Sequence, residues 1–381
     1  MTSKKNKKEK KEKVYKPPPE EFSVPGTAFT VDWHAHTLPE YIHSFLSHAH
    51  TDHLAGAGSF RSPRVMHCTP ITAKMVLLKY PKLNGCIETH EIGSTIEIDG
   101  TKITFLAANH TPGSAMFFFE LPNGKKILHT GDFRAEPEVV EVARNYGPVD
   151  RLYMDCTYAC SKLQFVSRKD CVSFIIEKVK EAMNNNSLVV IGTYTIGKEE
   201  LVIEAANATC QKIYAPKARF ETLQGLINSG FAKPELFSED PYLTRIHLLP
   251  IQECGKEKVS LYAASMGFDS VTAIRPSGWN GRPFWRCPTF DIYNEIKVTS
   301  YDVPYSDHSS PMELTEFVKA VKPAKVIPTT TKNKKEIEKI QNSFLPYMDK
   351  AKVKGFIEYY MSPPRPKLPK KDQPGISLDI P

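Results

Sequence analysis

Long hydrophobic runs are missing from this chain. No stretch approaches the 18 or so consecutive apolar residues that a membrane-spanning helix needs, so no such span is expected. The N-terminus lacks the apolar core of an export signal, so an exported product is not expected either. Paired CxxC units are also absent among the eight cysteines (Cys68, Cys86, Cys156, Cys160, Cys171, Cys210, Cys254, Cys287), which removes zinc-finger chemistry. A chain of 381 residues does not need disulfide staples, and the expected state of these thiols is reduced and buried. Net positive charge is scarce outside one end. Residues 1–16 hold eight lysines against two glutamates, +6 of the formal +7, so the body is close to neutral. Any nucleic acid must therefore meet local cationic clusters rather than a uniform field. No internal repeat interrupts the region between the two tails.

What is present suggests two domains, or one domain carrying a large insert. The apolar fraction of 41% can fill a sizeable core. Residues 1–20 are Lys-rich and then Pro-rich, and residues 1–23 are expected to form a disordered tail. Two readings of it stay open, a nuclear-import or nucleic-acid-contacting arm and a plain solvated tail. The chain from Ser362 is Pro- and Lys-rich and is expected to be unstructured, within a C-terminal extension over 349–381. Between the tails, Ile103–Leu106, Ala115–Phe119, Lys126–His129, Leu152–Met154, Leu188–Ile191 and Lys325–Ile327 read as buried strands. Asp170–Met183, Lys198–Ala208, Met312–Val321 and Lys334–Phe344 read as helices, and the alternation argues an α/β fold.

Chemistry concentrates in His48-Ala49-His50-Thr51-Asp52-His53, four potential metal ligands in six residues after the apolar pair Phe45-Leu46. Packing alone seldom requires such a cluster. A strand ending in a tight loop projects alternate side chains, so His48 and His50 can face one ion while Asp52 and His53 face a second about 3.5–4 Å away. Imidazole suits zinc, and a carboxylate can hold or bridge a harder ion. His110, in a turn between two expected strands, and Asp132, at the end of another, follow in an order that makes both candidate ligands. His308, in Tyr305-Ser306-Asp307-His308-Ser309-Ser310, is a further candidate. His34 and His36 flank no motif and are expected at the surface rather than in an extra metal site.

The spacing of the candidates carries its own information. From Asp132 to His308 is 176 residues, which calls for a second domain inserted between two halves of the first. Gly192–Glu199 follows an expected strand and precedes an expected helix, so its backbone amides, hydroxyls and Lys198 could receive a phosphate. An ordinary strand-to-helix turn explains it as well, and it lacks the full Walker pattern. Arg275-Pro276-Ser277-Gly278-Trp279, with Arg282, Trp285 and Arg286, interleaves cations with aromatics. It could stack the bases of a single strand. A structural turn with Trp in the core is the favoured reading.

Phe29–Asp32, Phe45–Gly56, Asn109–Gly113, Thr130–Arg134, Met154–Tyr158, Gly192–Glu199, His247–Pro250, Arg275–Trp279 and Val303–Ser310 together resemble the metallo-β-lactamase superfamily. Within it the chain is most similar to the β-CASP nucleases, specifically the DNA cross-link repair 5′-exonucleases related to Artemis. The similarity spans about residues 24–345. It implies an αββα sandwich of two parts, residues 24–148 and 273–348, with a β-CASP α/β insert over 149–272. It also implies that His48, His50 and His110 hold one ion, that Asp52, His53 and His308 hold another, and that Asp132 bridges them. Asp32 would orient a ligand histidine through a hydrogen bond. Asp155 would sit near His308 and join Asp52, Asp132 and His308 as catalytic. Thr193, Thr195, Lys198 and Ser309 would hold a terminal 5′-phosphate.

The resemblance implies one or two zinc ions, with the second site open to magnesium or manganese. It further implies a nuclear, monomeric DNA 5′-to-3′ exonuclease working with repair proteins. An RNA-processing nuclease and a non-catalytic scaffold are the alternatives. Departures from the family pattern are Asp307 in place of Glu, Cys156 in place of Thr, and Thr330 where DNA-acting members carry Val and RNA-acting ones His.

Overall fold

The structure, a computed structural model, describes residues 16–35, 38–163, 165–194, 196–279, 286–349 and 351. Its first sheet has five strands in sequential order: β1 (Ser23–Val24), β2 (Phe29–Val31), β3 (His43–Phe45), β4 (Val65–Cys68) and β5 (Ile87–Thr89). The second contains β6 (Thr95–Ile98), β7 (Thr101–Ala107), β8 (Ala115–Glu120), β9 (Lys126–His129) and β10 (Arg151–Met154). The two sheets share a core in which Phe29, Phe45, Phe105, Phe117 and Phe119 are almost fully buried. Strand periodicity decides which side chains enter it. Phe117 and Phe119 of β8 point inward, while Met116 and Phe118 point to the opposite face and join a separate apolar cluster. Both faces of β8 are therefore covered, which is why its sequence is continuously apolar.

Helices close the sandwich on both sides. Helix α1 (Pro70–Lys79) contributes Ala73 and Val76 to a cluster with Met66 and Cys68 of β4. Helix α2 (Pro137–Arg144) packs beneath the second sheet. The chain then leaves this layer. A seven-stranded sheet follows: β11 (Leu188–Thr193), β12 (Ile213–Tyr214), β13 (Phe237–Ser238), β14 (Ile246–Pro250), β15 (Ser270–Pro276), β16 (Thr289–Tyr293) and β17 (Ile296–Val303). Helices α3 (Arg168–Asn184), α4 (Glu199–Thr209) and α5 (Lys217–Asn228) cover one face, and α6 (Lys256–Ser265) covers the other. After it, α7 (Pro311–Val321), β18 (Val326–Pro328) and α8 (Lys334–Phe344) return to the first unit. There β18 pairs in parallel with β10, and both helices join α2 under the second sheet. The molecule is an αββα sandwich interrupted by an α/β insert.

The sequence pattern located these elements but misplaced some edges. A boundary at 272 falls inside β15, which pairs in parallel with β17 over seven residue pairs from Ser270↔Lys297 to Pro276↔Val303. We place the return to the sandwich at Pro304 instead. The expected tail over 1–23 ends too late. Ser23 already pairs with Thr30, and Phe22 stacks on Trp33 at 5.1 Å, an anchor that tail composition conceals. Residues 1–15, and all of the C-terminal extension except 349 and 351, lie outside the described residues. Helix α4 starts one residue later than expected because Lys198 occupies the left-handed region, φ 65°, ahead of it. The cysteines are all free thiols, but Cys160, Cys210 and Cys287 are exposed rather than buried. No helix among the described residues is long and apolar enough to cross a membrane.

Phe45 is the hub of the inter-sheet core, with ring centroids of Phe29, Phe117 and Phe119 at 5.7, 5.4 and 5.3 Å. Phe45→Ala is expected to cost about 3–5 kcal/mol of stability, as cavity-forming Phe truncations do. Equilibrium chemical denaturation checks this, and a loss below about 1 kcal/mol would contradict the packing described.

Candidate metal centre

Every candidate ligand sits on a loop that leaves the same edge of the sandwich. β2 ends just before Asp32, β3 leads into the His48–His53 loop, and the β7–β8 turn carries His110. β9 ends just before Asp132, β10 just before Asp155, and His308 lies between β17 and α7. The close approach at Asp132 requires glycine before it. Gly131 has φ 54°, and a Cβ there would lie 2.4 Å from the Ser47 Cβ.

The hydrogen bonds around the cluster decide which ring nitrogen each histidine presents. Asp32, buried at the back, accepts from the Ser47 amide (2.7 Å) and from the Ser47 hydroxyl (2.7 Å). It also lies 2.8 Å from His53 Nδ1. With its proton given to Asp32, Ser47 Oγ can only accept from His48 Nδ1 at 2.9 Å. His110 Nδ1 faces the Asp307 carbonyl at 3.0 Å, and His308 Nδ1 faces Asp155 at 2.7 Å. Carbonyl and carboxylate oxygens only accept, so each Nδ1 is the donor. Four Nε2 lone pairs, from His48, His53, His110 and His308, are thereby left for another partner. His50 is reversed. Its Nε2 faces the Ile196 carbonyl at 3.3 Å, which leaves Nδ1 free, 3.2 Å from His110 Nε2.

These lone pairs converge on one carboxylate. Asp132 Oδ2 lies 3.3 Å from His53 Nε2, 3.8 Å from His110 Nε2 and 3.9 Å from His48 Nε2. The donor atoms of His48, His50, His110 and Asp132 fall within 4.8 Å of one another, as do those of Asp132, Asp155 and His308. Asp132 belongs to both groups. His48 Nε2 is buried without any hydrogen-bond partner, a state that ordinarily carries a penalty and that a cation would relieve. The residues fit metal ions.

Electrostatics divide the cluster: His48, His50 and His110 are held neutral, whereas His53 and His308 favour the protonated ring, whose Nε2 proton a cation would have to displace. Burial holds His48 well below the ordinary imidazole range and also lowers His50. Burial and then the neighbouring His308 push His110 down to about 3. Neutral imidazoles are the ligating form. Burial opposes charge at His53, but Asp132 and Asp32 outweigh it and raise the group well above its usual value. Burial likewise opposes the charge on Asp132, and His53 more than reverses it, so this carboxyl stays ionised. At His308 burial is overridden by Asp155, which lifts it to about 9.

Not every expected residue takes the expected place. The Asp52 side chain is 81% exposed, with Oδ2 3.8 Å from His53 Nε2, at the rim and outside both convergent groups. Asp155 spends Oδ1 on the amide and hydroxyl of Thr157 (2.9 and 2.6 Å) and Oδ2 on His308. Its geometry is that of a positioning residue. Ser309 cannot serve a phosphate pocket as expected, because its hydroxyl donates to Phe133 O and accepts from the Ala135 amide, both at 2.9 Å. Thr193 is buried and lines a separate cavity with Arg219 and Gln252. His34 is not at the surface. It is fully buried, 2.9 Å from Ser44 Oγ and edge-on to Phe60, because the chain after β2 folds under the His48–His53 loop. Thr195, His36, Arg282 and Trp285 lie outside the described residues.

The insert reaches directly into the centre. Gly197 and Lys198 adopt left-handed backbone, φ 113° and 65°. Glu199 Oε1 accepts from the Gly197 amide at 2.7 Å, and Arg219 donates to both Glu199 Oε1 (2.7 Å) and Gly197 O (2.9 Å). Lys198 Nζ, buried, points to Asp307 Oδ2 at 3.7 Å. A cavity of about 180 Å³ lies between this loop and His308, lined also by Tyr158, Ser277 and Gly278. Trp279 stands at its mouth, 64% exposed and 4.7 Å from the Tyr158 ring, not in the core. Gly278 lets the chain pass this close to Tyr158, since a Cβ there would meet Tyr158 Oη at 2.4 Å. Sequence reasoning missed Arg168, which donates to both Glu136 oxygens (2.9 and 2.5 Å) and to Asn109 O (3.0 Å). It ties α3 to the His110 turn. Its three contacts lie 32 or more residues away, and no local pattern announces it.

A two-sheet sandwich with a His/Asp rim is the architecture of the metallo-β-lactamase class, and residues 25–184 match the beta-lactamase superfamily domain. Residues 231–334 match the DNA repair metallo-beta-lactamase family. The chain is 33% identical to the DNA cross-link repair protein SNM1 of Arabidopsis thaliana over 332 residues, 84% of this chain and 68% of that protein. It is 34% identical to the human DNA cross-link repair 1A protein over 83% of this chain and 31% of the relative. It is 33% identical to the 5' exonuclease Apollo of Gallus gallus over 80% of this chain and 62% of the relative. The chain belongs to the metallo-β-lactamase/β-CASP repair nuclease family. It spans about a third of the length of the 1A proteins it matches. A solved protein of unknown function from Enterococcus faecalis shares the fold, with TM-score 0.55 and 14% identity over 83% of this chain and 80% of that one.

Asp32 lines a cavity together with His53 and Asp132, and its carboxylate sets the ring orientation of His53. Asp32→Asn is expected to weaken zinc binding by about 10–100-fold, the usual cost of losing a hydrogen bond behind a ligand. Competition with a chromophoric chelator measures this, and unchanged affinity would show that His53 orients itself.

Proposed function

We propose that this chain is a metal-dependent DNA nuclease that removes nucleotides in the 5′-to-3′ direction from a 5′-phosphorylated end. The observation that carries the reading is the contact between the insert and the metal centre, where Ile196 O meets His50 and Lys198 closes one end of the cleft beside His308. A small pocket of about 180 Å³ next to the ligands suits a terminal phosphate group. Lys198 is the cation aimed into it, although Asp307 already shares that charge. Tyr158 and exposed Trp279 at the mouth offer faces on which terminal bases can stack. The names of the relatives, DNA cross-link repair proteins and a 5' exonuclease, support cross-link or end repair and a nuclear setting.

Bound in this centre, a pair of metal ions would polarise the phosphodiester and activate water for its hydrolysis. His48, His50, His110 and Asp132 form the nitrogen-rich group and suit zinc. Asp132 and His308, with His53 close by, form the second group, and Asp52 at the rim could add the oxygen that magnesium or manganese favours over zinc. Asp132 belongs to both groups and would be a ligand available to either ion. Asp32 and Asp155 keep the Nδ1 protons of His53 and His308 turned away from the substrate. The Gly197–Lys198 backbone, pinned by Arg219, keeps the terminal phosphate from sliding past the centre.

End-labelled single strands test this reading. A 5′-phosphorylated DNA strand is expected to shorten to mononucleotides, to resist attack when it carries a 5′-hydroxyl, and to survive intact with chelator. Asp132→Ala should lower the rate by at least about 10²–10³-fold, as loss of a central electrostatic group does. Lys198→Ala should reduce the preference for 5′-phosphate by about tenfold or more, the worth of one charged hydrogen bond. Equal cutting of the two ends would remove the pocket, and faster cutting of a matched RNA would establish the RNA-processing alternative.

A further inference from the structure

A second group of potential ligands lies on the first sheet, apart from the centre described. β4 and β5 run parallel in a register that places His67 beside Glu88. Side chains two residues apart share a face of a strand, so His90, just beyond β5, joins Glu88. His67 Nδ1 lies 3.1 Å from His90 Nε2 and 3.6 Å from Glu88 Oε2. All three donor atoms fall within 4.8 Å of one another. The other ring nitrogen of His67, Nε2, is 2.9 Å from His43 Nδ1 on β3. His67 is fully buried and stacked on Phe45, while the Glu88 side chain is 61% exposed.

Two arrangements compete for these distances. A proton-sharing chain from His43 through His67 to His90 would satisfy the imidazoles alone. It leaves Glu88 unexplained, since 3.6 Å is too long for a hydrogen bond and His67 Nδ1 has only one proton to give. A tetrahedral ion with bonds of about 2.0–2.2 Å has ligand–ligand edges of about 3.3–3.6 Å. The observed pair, 3.1 and 3.6 Å, brackets that value. His67 would then ligate through Nδ1 and give its Nε2 proton to His43, the arrangement of a ligand histidine held from behind. The exposed side of Glu88 leaves the fourth position to water.

We propose that His67, Glu88 and His90 form a third metal site, independent of the centre around Asp132, that takes a divalent first-row transition ion such as zinc. Two imidazoles and a carboxylate select zinc or cobalt over magnesium. The ion joins β4 to the edge strand β5, so its effect falls on the stability of the sheet that carries the His48–His53 loop.

The test counts ions in full-length protein. Chelator-stripped protein is reloaded with zinc, desalted and measured by elemental analysis, with cobalt spectra as a second readout of tetrahedral nitrogen and oxygen ligation. Glu88→Gln and His90→Gln are each expected to hold one equivalent fewer than wild type. They should still hold the equivalents that Asp132→Ala loses. Zinc should also raise the melting temperature of Asp132→Ala, and not of Asp132→Ala combined with Glu88→Gln. Equal ion counts in wild type and both single variants overturn the proposal. Should His90→Gln fail to fold, Glu88→Gln decides alone, because its side chain is mostly in solvent. A nuclease assay that fails while this count succeeds would separate the present site from the proposed activity.

Discussion

The carboxylate of Asp32 is out of water at the end of β2, in a left-handed conformation with φ 53°. An ionised group so placed is costly unless hydrogen bonds and opposite charge surround it. Here burial is offset by His53 first, and by the Ser47 amide among others, with the net result that Asp32 stays below the ordinary carboxylate range. That compensation has a geometric consequence. The same oxygens that make the burial tolerable also fix Ser47, which fixes His48, and they turn His53 toward Asp132. One satisfied charge sets two ligand orientations, and the neighbouring loops have to arrive at the edge where those rings point.

The second constraint is the union of sandwich and insert. Leu46, Met66 and Val76 on one side and Ile191, Leu223 and Leu248 on the other belong to a single apolar cluster. Above it, Arg168 bridges Glu136 and the His110 turn, and Arg134 donates to Ser306 O at 2.7 Å and to Glu313 at 3.0 Å. Both guanidiniums are nearly buried and paired, so loss of either partner would strand a charge rather than merely remove a contact. The His110 and His308 loops, far apart in sequence, are thus held by the same joint.

Much of this was legible in the residues. The His48–His53 cluster has few structural explanations, and the 176-residue gap from Asp132 to His308 by itself calls for an insert. Apolar runs located β7 to β11 because these strands are covered on both faces. The edge strands escaped for the opposite reason. β5 and β6 are half-exposed and mixed in composition, so nothing in their local pattern separates them from loop. Ser309 was misassigned because motif position says where a residue stands and not which way its hydroxyl turns. Trp279 was misassigned because hydrophobicity alone favours the core, whereas the ring packs on Tyr158 at the pocket mouth with most of its surface exposed. His67 and Glu88 meet only through strand register, which a single sequence does not reveal.

A continuous core between sandwich and insert leaves no seam at which the two could swing apart, since domains move freely only across small or polar interfaces. The mouth of the cleft is therefore set when the protein folds. A cleft so built is a mould rather than a pair of jaws, and whatever enters it is sorted first by girth.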